Sequence, residues 1–159
     1  MRSIRIKSAR AKQTKDDDFE AICTYELEAV PALCNPIERM HGGAVALLVD
    51  MATTMATAPV SSKGFWEFGG VTRTLNITML QPIPQGAKLD VICKLKSIGK
   101  RLCEFRMLSN HHVTMLMSSK ASTQCEIKDR TSGKLLAVGD HGKSALSDQD
   151  PREQASSRL

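Results

Sequence analysis

Between His41 and Val60 the chain reads HGGAVALLVDMATTMATAPV, twenty residues whose single formal charge is Asp50. A run of Ala, Val, Leu and Met opened by Gly42 and Gly43 has no polar face, so a helix made from it must be surrounded by other structure. Pro59 supplies a stop. The remainder of the chain therefore has to cover this helix. A carboxylate inside such a run is costly to bury unless it is paired, hydrogen-bonded or protonated. Asp50 is the residue to explain.

The 159 residues are enough for one domain with a sizeable core, and no second domain is expected. With 42% hydrophobic and 25% charged residues the composition is that of an ordinary soluble protein, and no apolar run is expected to span a membrane. No apolar stretch follows the first basic residues, so no secretory signal is expected. Cys23, Cys34, Cys93, Cys103 and Cys125 are odd in number and widely spaced, which points to reduced, mostly buried thiols in an intracellular compartment.

The net charge of +5 is unevenly placed: six of the 22 basic residues lie in the first fifteen positions, leaving 16 against 17 acidic residues elsewhere. A nearly neutral body with 4% aromatics argues against a nucleic-acid surface on the folded part. Residues 1–18 are expected to be a solvated, flexible basic arm. A mitochondrial presequence is the alternative, weakened by Asp16 to Asp18.

From Phe19 to Val30 the residues alternate, with Phe19, Ala21, Cys23, Tyr25 and Leu27 on one face of an expected strand. Pro31 and Asn35-Pro36 mark a loop that leads into the helix, and a second loop follows it. Further strands are expected at Gly70 to Leu80, Leu89 to Ile98, Leu102 to Met107, Ser122 to Lys128 and Lys134 to Gly139. Gly99-Lys100 reads as a tight turn joining the third strand to the fourth. One strand, one apolar helix and an antiparallel meander is an α+β order, most simply packed with a curved sheet wrapped around the helix. Residues 144–159 are polar and are expected to be a flexible tail.

A helix opening on two glycines presents free N–H groups and the positive end of its dipole, a place for a developing oxyanion, and Gly42 is the candidate donor. Close packing of the helix start is the structural alternative. Asp50 stands eight residues further on, roughly 12 Å along the axis at about 1.5 Å per residue. One reacting atom has to lie about 3 Å from both kinds of group. If both act, Asp50 and Gly42 must come from different chains, as in a twofold dimer; otherwise Asp50 is a structural carboxylate, bonded to backbone or paired with Arg73. His41 either caps the helix or orients a loop, Asn35 is a turn residue, and Thr72 either holds a water or is an ordinary strand threonine. His111-His112 has no partner at metal-ligand spacing, and no metal is implied.

Asn35, His41-Gly42-Gly43, Asp50, Gly70-Val71-Thr72 and Leu75-Asn76-Ile77-Thr78 together resemble the hotdog-fold acyl-CoA thioesterases of the phenylacetate-degradation type. The resemblance covers about residues 19–143, and Thr131 to His141 fits its last hairpin. It implies that Asp50 is the general base or nucleophile, that Gly42 polarises the carbonyl, that Asn35 and His41 shape the site, and that Thr72 stands for a water-positioning serine. Gly43, Thr74, Gln81, Pro82, Ser97, Gly99, Lys100, Arg101 and Leu102 fall where the substrate would bind, with Lys100 and Arg101 suited to the CoA phosphates. The sequence departs from the family around residues 107–121, a stretch longer than an ordinary connection needs. That stretch is either a protruding hairpin or translated non-coding sequence. The ending Ser157-Arg158-Leu159 resembles a peroxisomal address read by the import receptor, which favours peroxisomal over mitochondrial or cytosolic placement.

These expectations combine into a hydrolase of lipid metabolism: a homodimer or homotetramer that cleaves acyl-CoA, with no cofactor beyond the CoA of its substrate and no membrane span. A non-catalytic acyl-CoA-binding protein and a hotdog hydratase or dehydratase are the alternatives. The hydratase would want a histidine beside its carboxylate, and the helix offers Asp50 alone.

Overall fold

The computed structural model describes residues 4–99, 102–108, 112–118 and 120–145, and gives the backbone course alone between 102 and 118. One helix, α1 (Gly42–Met55), lies against a six-stranded antiparallel sheet. The sheet is built from β1 (Arg5–Ala11), β2 (Ala21–Glu28), β3 (Val71–Met79), β4 (Lys88–Ile98), β7 (Lys120–Asp129) and β8 (Leu135–Ser144), in the order β1-β2-β4-β7-β8-β3. The remaining strands, β5 (Leu102–Leu108) and β6 (His112–Ser118), pair with each other as a separate hairpin.

Alternation decides which faces meet. Ala21, Cys23, Tyr25 and Leu27 of β2, Leu89, Val91, Cys93 and Leu95 of β4, and Cys125 and Ile127 of β7 all turn inward and are buried. They close on Val45, Leu48, Val49 and Ala52 of α1. Cys23 stands opposite Cys93, and Cys93 opposite Cys125, so three thiols form one row across three neighbouring strands. The four cysteines whose side chains are described, Cys23, Cys34, Cys93 and Cys125, are free. The helix ends at Met55, and Pro59 falls in a short 3-10 turn, Ala58–Val60, beyond it.

Five expectations are corrected. Arg5–Ala11, inside the expected flexible arm, is an edge strand held to β2 by backbone pairing, with Lys7 3.8 Å from Glu26 and 3.7 Å from Asp90. Its residues are almost all exposed, so it carries no apolar rhythm to read. The partner of β4 is β7, with Ile98 opposite Ala121 and Gly99 N–H donating to Lys120 O, 3.0 Å. The strand expected at Leu102 to Met107 pairs with β6 in the separate hairpin instead of following β4 in the main sheet. The last strand does not stop at Gly139 but continues to Ser144. Gly42–Val60 is, by length and composition, apolar enough to cross a membrane, at 19 residues and mean hydropathy 1.4. Its inward residues are packed against the sheet, which makes it a core helix. Residues 146–159, including Ser157-Arg158-Leu159, and Lys100, Arg101 and His111 lie outside the described residues.

The fifth correction concerns the helix surface. Leu47 (49% exposed) and Met51 (36%) face away from the sheet, and the Asp50 side chain, 37% exposed, lies at the border between that face and the strands. Asp50 is therefore at the edge of an open apolar face rather than sealed inside.

Candidate active site

The start of α1 is fixed by the loop before it. Asn35 Oδ1 accepts from Ile37 N–H (3.2 Å) and Arg39 N–H (3.0 Å), and Asn35 N–H donates to Arg39 O (2.7 Å). Glu38 takes φ +56° inside this turn, a conformation that the surrounding bonds hold. Met40 N–H then donates to Ile83 O and His41 N–H to Leu33 O, both 2.8 Å. The carbonyl of Asn35 is thus spent on the loop, as a turn residue's would be. His41 is the N-cap, its Nδ1 accepting from Gly43 N–H at 2.9 Å. With Gly43 taken, Gly42 N–H is left without an acceptor among the described residues. A Cβ on Gly42 would stand 3.2 Å from Met79 Cε, so glycine keeps the approach to that N–H open.

Two turns along, helix periodicity places Asp50, Thr53 and Thr54 toward β8 and β3. Thr72 Oγ1 donates to Asp50 Oδ1 (2.8 Å) and lies 3.0 Å from His141 Nε2. That Nε2 is itself 3.4 Å from Asp50 Oδ1, and Nδ1 is 2.5 Å from Thr53 Oγ1. Thr53 Oγ1 donates its proton to Val49 O at 2.6 Å, so its lone pairs face Nδ1, while Thr72 donates to the carboxylate and Nε2 faces both Thr72 and Asp50. His141 is 1% exposed. Burial and the neighbouring ammonium of Lys143 lower its pKa against the opposing pull of Asp50, which favours neutral imidazole. Lys143, 3% exposed, donates from Nζ to Thr54 Oγ1 at 2.8 Å. Burial lowers its pKa while Asp50 acts to raise it.

His141, Lys143, Thr53 and Thr54 were not among the sequence candidates. Ala137, Gly139, His141 and Lys143 are buried at every second position, but with a histidine and a lysine on the inward face and Val138 on the outward one the sequence carries no apolar alternation that would extend the strand past Gly139. The buried histidine also corrects the statement that Asp50 stands alone. The alternative pairing of Asp50 with Arg73 is not what is found; its partners are Thr72 and His141.

The remaining candidates divide between the two ends of the sheet. Gln81 N–H bonds to Leu136 O at the start of β8, next to the start of α1. There Gln81 and Pro82 line a groove of about 340 Å³ together with Met79, Leu80, Val45 and Arg39. Ser97 and Gly99 lie at the opposite end, where Gly99 O accepts from Trp66 Nε1 at 3.2 Å. Between Leu136 and Ser144 the strand covers about 27 Å at roughly 3.4 Å per residue. One chain therefore does not bring Gln81-Pro82 together with Ser97-Gly99, nor Gly42 together with Asp50. Thr74 is exposed on β3 beside Gly142, where a Cβ would strike its hydroxyl. Lys100 and Arg101 lie outside the described residues, as does the side chain of Leu102. Among the described residues no three His, Cys, Asp or Glu side chains converge to hold a metal.

Residues 38–108 match the thioesterase superfamily, and the matched stretch contains His41-Gly42-Gly43, Asp50 and Thr72. The match covers 71 of the 159 residues. Acyl-coenzyme A thioesterase 13 of Homo sapiens is 28% identical over 124 residues, 78% of this chain and 71% of the relative. Thioesterase superfamily member 2 of zebra fish has the same fold at 22% identity and TM-score 0.67, covering 91% of this chain and 82% of that one. A hypothetical thioesterase of Streptococcus pneumoniae, solved with coenzyme A, has it at 14% identity and TM-score 0.66, covering 92% and 88%. The antiparallel sheet around an apolar helix is thus the hotdog arrangement that the resemblance implied.

Proposed function

We propose that the chain is an acyl-CoA thioesterase that works as a dimer or a dimer of dimers. The observation that carries this reading is the Asp50–Thr72–His141 network at the edge of an exposed apolar helix face, with the open N–H of Gly42 about 12 Å away along the same helix. A second copy, with its helix antiparallel to the first, completes the site by placing Gly42 of the partner subunit opposite Asp50. The same operation brings Ser97-Gly99 toward the Gln81-Pro82 end of the other chain. Leu47 and Met51 are the apolar surface that such a contact would cover.

In this reading the thioester carbonyl oxygen accepts from Gly42 N–H. Water held by Thr72 and Asp50 attacks the carbonyl carbon while Asp50 takes its proton. The oxyanion is stabilised at the helix start, the carbon–sulfur bond breaks, and the thiolate takes the proton back to leave as CoA. His141 keeps Asp50 and Thr72 in place. Both of its nitrogens are engaged and it is buried, so it does not reach substrate; this argues against a hydratase, whose histidine must touch the acyl group.

The test is thiol release from short, long and aromatic acyl-CoAs by the protein and by Asp50→Ala. Release that vanishes in a folded variant supports the mechanism. Undiminished release would refute it, and binding without release by the unaltered protein would mark a carrier.

A further inference from the structure

The groove at the start of α1 combines two features that call for different parts of one ligand. Its wall is apolar, made by Met40, Val45, Met79, Ile83 and Ala137, and Val45 stands one turn beyond Gly42. Arg39 also lines it. One nitrogen of that guanidinium donates to Glu38 O at 3.0 Å, and among the described residues no carboxylate lies within ion-pair distance. The backbone of Arg39 is fixed by Asn35 on one side and by its bridge to Pro84 on the other, so the side chain leaves from a held base.

A charged fork at an apolar groove fits a ligand that is apolar along its length and anionic at its end. The groove volume of about 340 Å³ equals that of about eleven waters at roughly 30 Å³ each, which suits a chain on the order of ten carbons. We propose that this groove takes the acyl chain of the substrate and that Arg39 selects chains ending in a carboxylate, making ω-carboxyacyl-CoA the preferred class. The proposal rests on the thioesterase reading. Its geometry is that the carbonyl carbon sits at Gly42, the methylenes run past Val45 and Met79, and the distal carboxylate meets the Arg39 guanidinium.

The experiment compares kcat/KM on sebacoyl-CoA and decanoyl-CoA for the full chain, Arg39→Met and Arg39→Lys. Losing one charge-assisted contact predicts a drop of about tenfold or more on sebacoyl-CoA with Arg39→Met, partial rescue by Arg39→Lys, and less than about twofold change on decanoyl-CoA. Equal losses on both substrates would assign the guanidinium to the CoA phosphates and overturn the proposal, as would no loss on sebacoyl-CoA. Calorimetric binding of monomethyl sebacate and methyl decanoate, which differ in the terminal carboxylate, separates this from failure of the thioesterase reading. If neither thioester is hydrolysed, tighter binding of the monomethyl sebacate that disappears in Arg39→Met still supports the groove assignment, and its absence refutes it.

Discussion

Acidification should destabilise this protein through His141, and the size of the effect follows from its burial. The folded-state pKa lies below the ordinary 6.5 because burial and Lys143 outweigh Asp50. A group with a depressed pKa binds fewer protons folded than unfolded, so its contribution to stability is present above 6.5 and is lost as pH falls from there toward the folded value. From pH 7.5 to 5.5 a histidine with a lowered folded pKa can cost at most about 1.4 kcal/mol. For a domain of this size that is a fall in Tm of roughly 3–6 °C. The assay is thermal unfolding at both pH values, at fixed protein concentration, for the unaltered chain and for His141→Gln, which keeps hydrogen-bonding capacity but does not titrate. Carboxylates elsewhere titrate alike in both, so the difference between the two slopes isolates the imidazole. Identical slopes would refute the argument, and so would an NMR titration of His141 with a midpoint at or above 6.5.

Thr72→Val keeps the shape and removes the hydroxyl between His141 and Asp50. Turnover should fall by about tenfold while stability changes by less than about 1 kcal/mol, since water can reach this partly open site; kinetics and urea melts would check both. Gly70→Ala should cost about 3 kcal/mol or more, because φ is +70° and a Cβ would strike Ser144 O and the Trp66 ring, and a Tm unchanged within error would contradict this. Deleting residues 102–118 should leave a folded, active protein, because β4 and β7 pair without the hairpin and their ends already meet at Gly99 and Lys120. Loss of the cooperative melt in that deletion would show the hairpin to be structural.

Where burial imposed a rhythm, the sequence could be read: β2 alternates as its buried face requires, and the helix from Gly42 has the apolar run a core element needs. Where the backbone alone makes an element, it could not. Ile6 and Ser8 of β1 bury nothing, so that strand exists through pairing with β2 and through ion pairs made across the sheet. Leu102 to Met107 shows why pattern does not fix partners: it has the composition of a sheet strand, yet Ala121 to Asp129 takes the place beside β4. Asp50 stands out as the one charge in an apolar run, and the resemblance supplies the roles expected of it and of Thr72. His141 needed the register of β8 on β3, which sets Leu75 opposite His141 and so carries the imidazole to the helix. An all-apolar helix also gives no sign of which side stays open, so Asp50 reads as sealed when it is not.

The row Cys23–Cys93–Cys125 makes the sheet its own unfolding reporter. Each sulfur belongs to a different strand, and all three are shielded from solvent. An alkylating reagent reaches them only when strands part. Mass spectrometry after brief exposure would then sort molecules by how many of the three have reacted. If β2, β4 and β7 separate as one cooperative unit, the three are modified together and partly labelled chains stay rare. If β2 peels away with β1 while β4 and β7 hold, Cys23 reacts alone, and the order of labelling becomes a map of how the sheet comes apart.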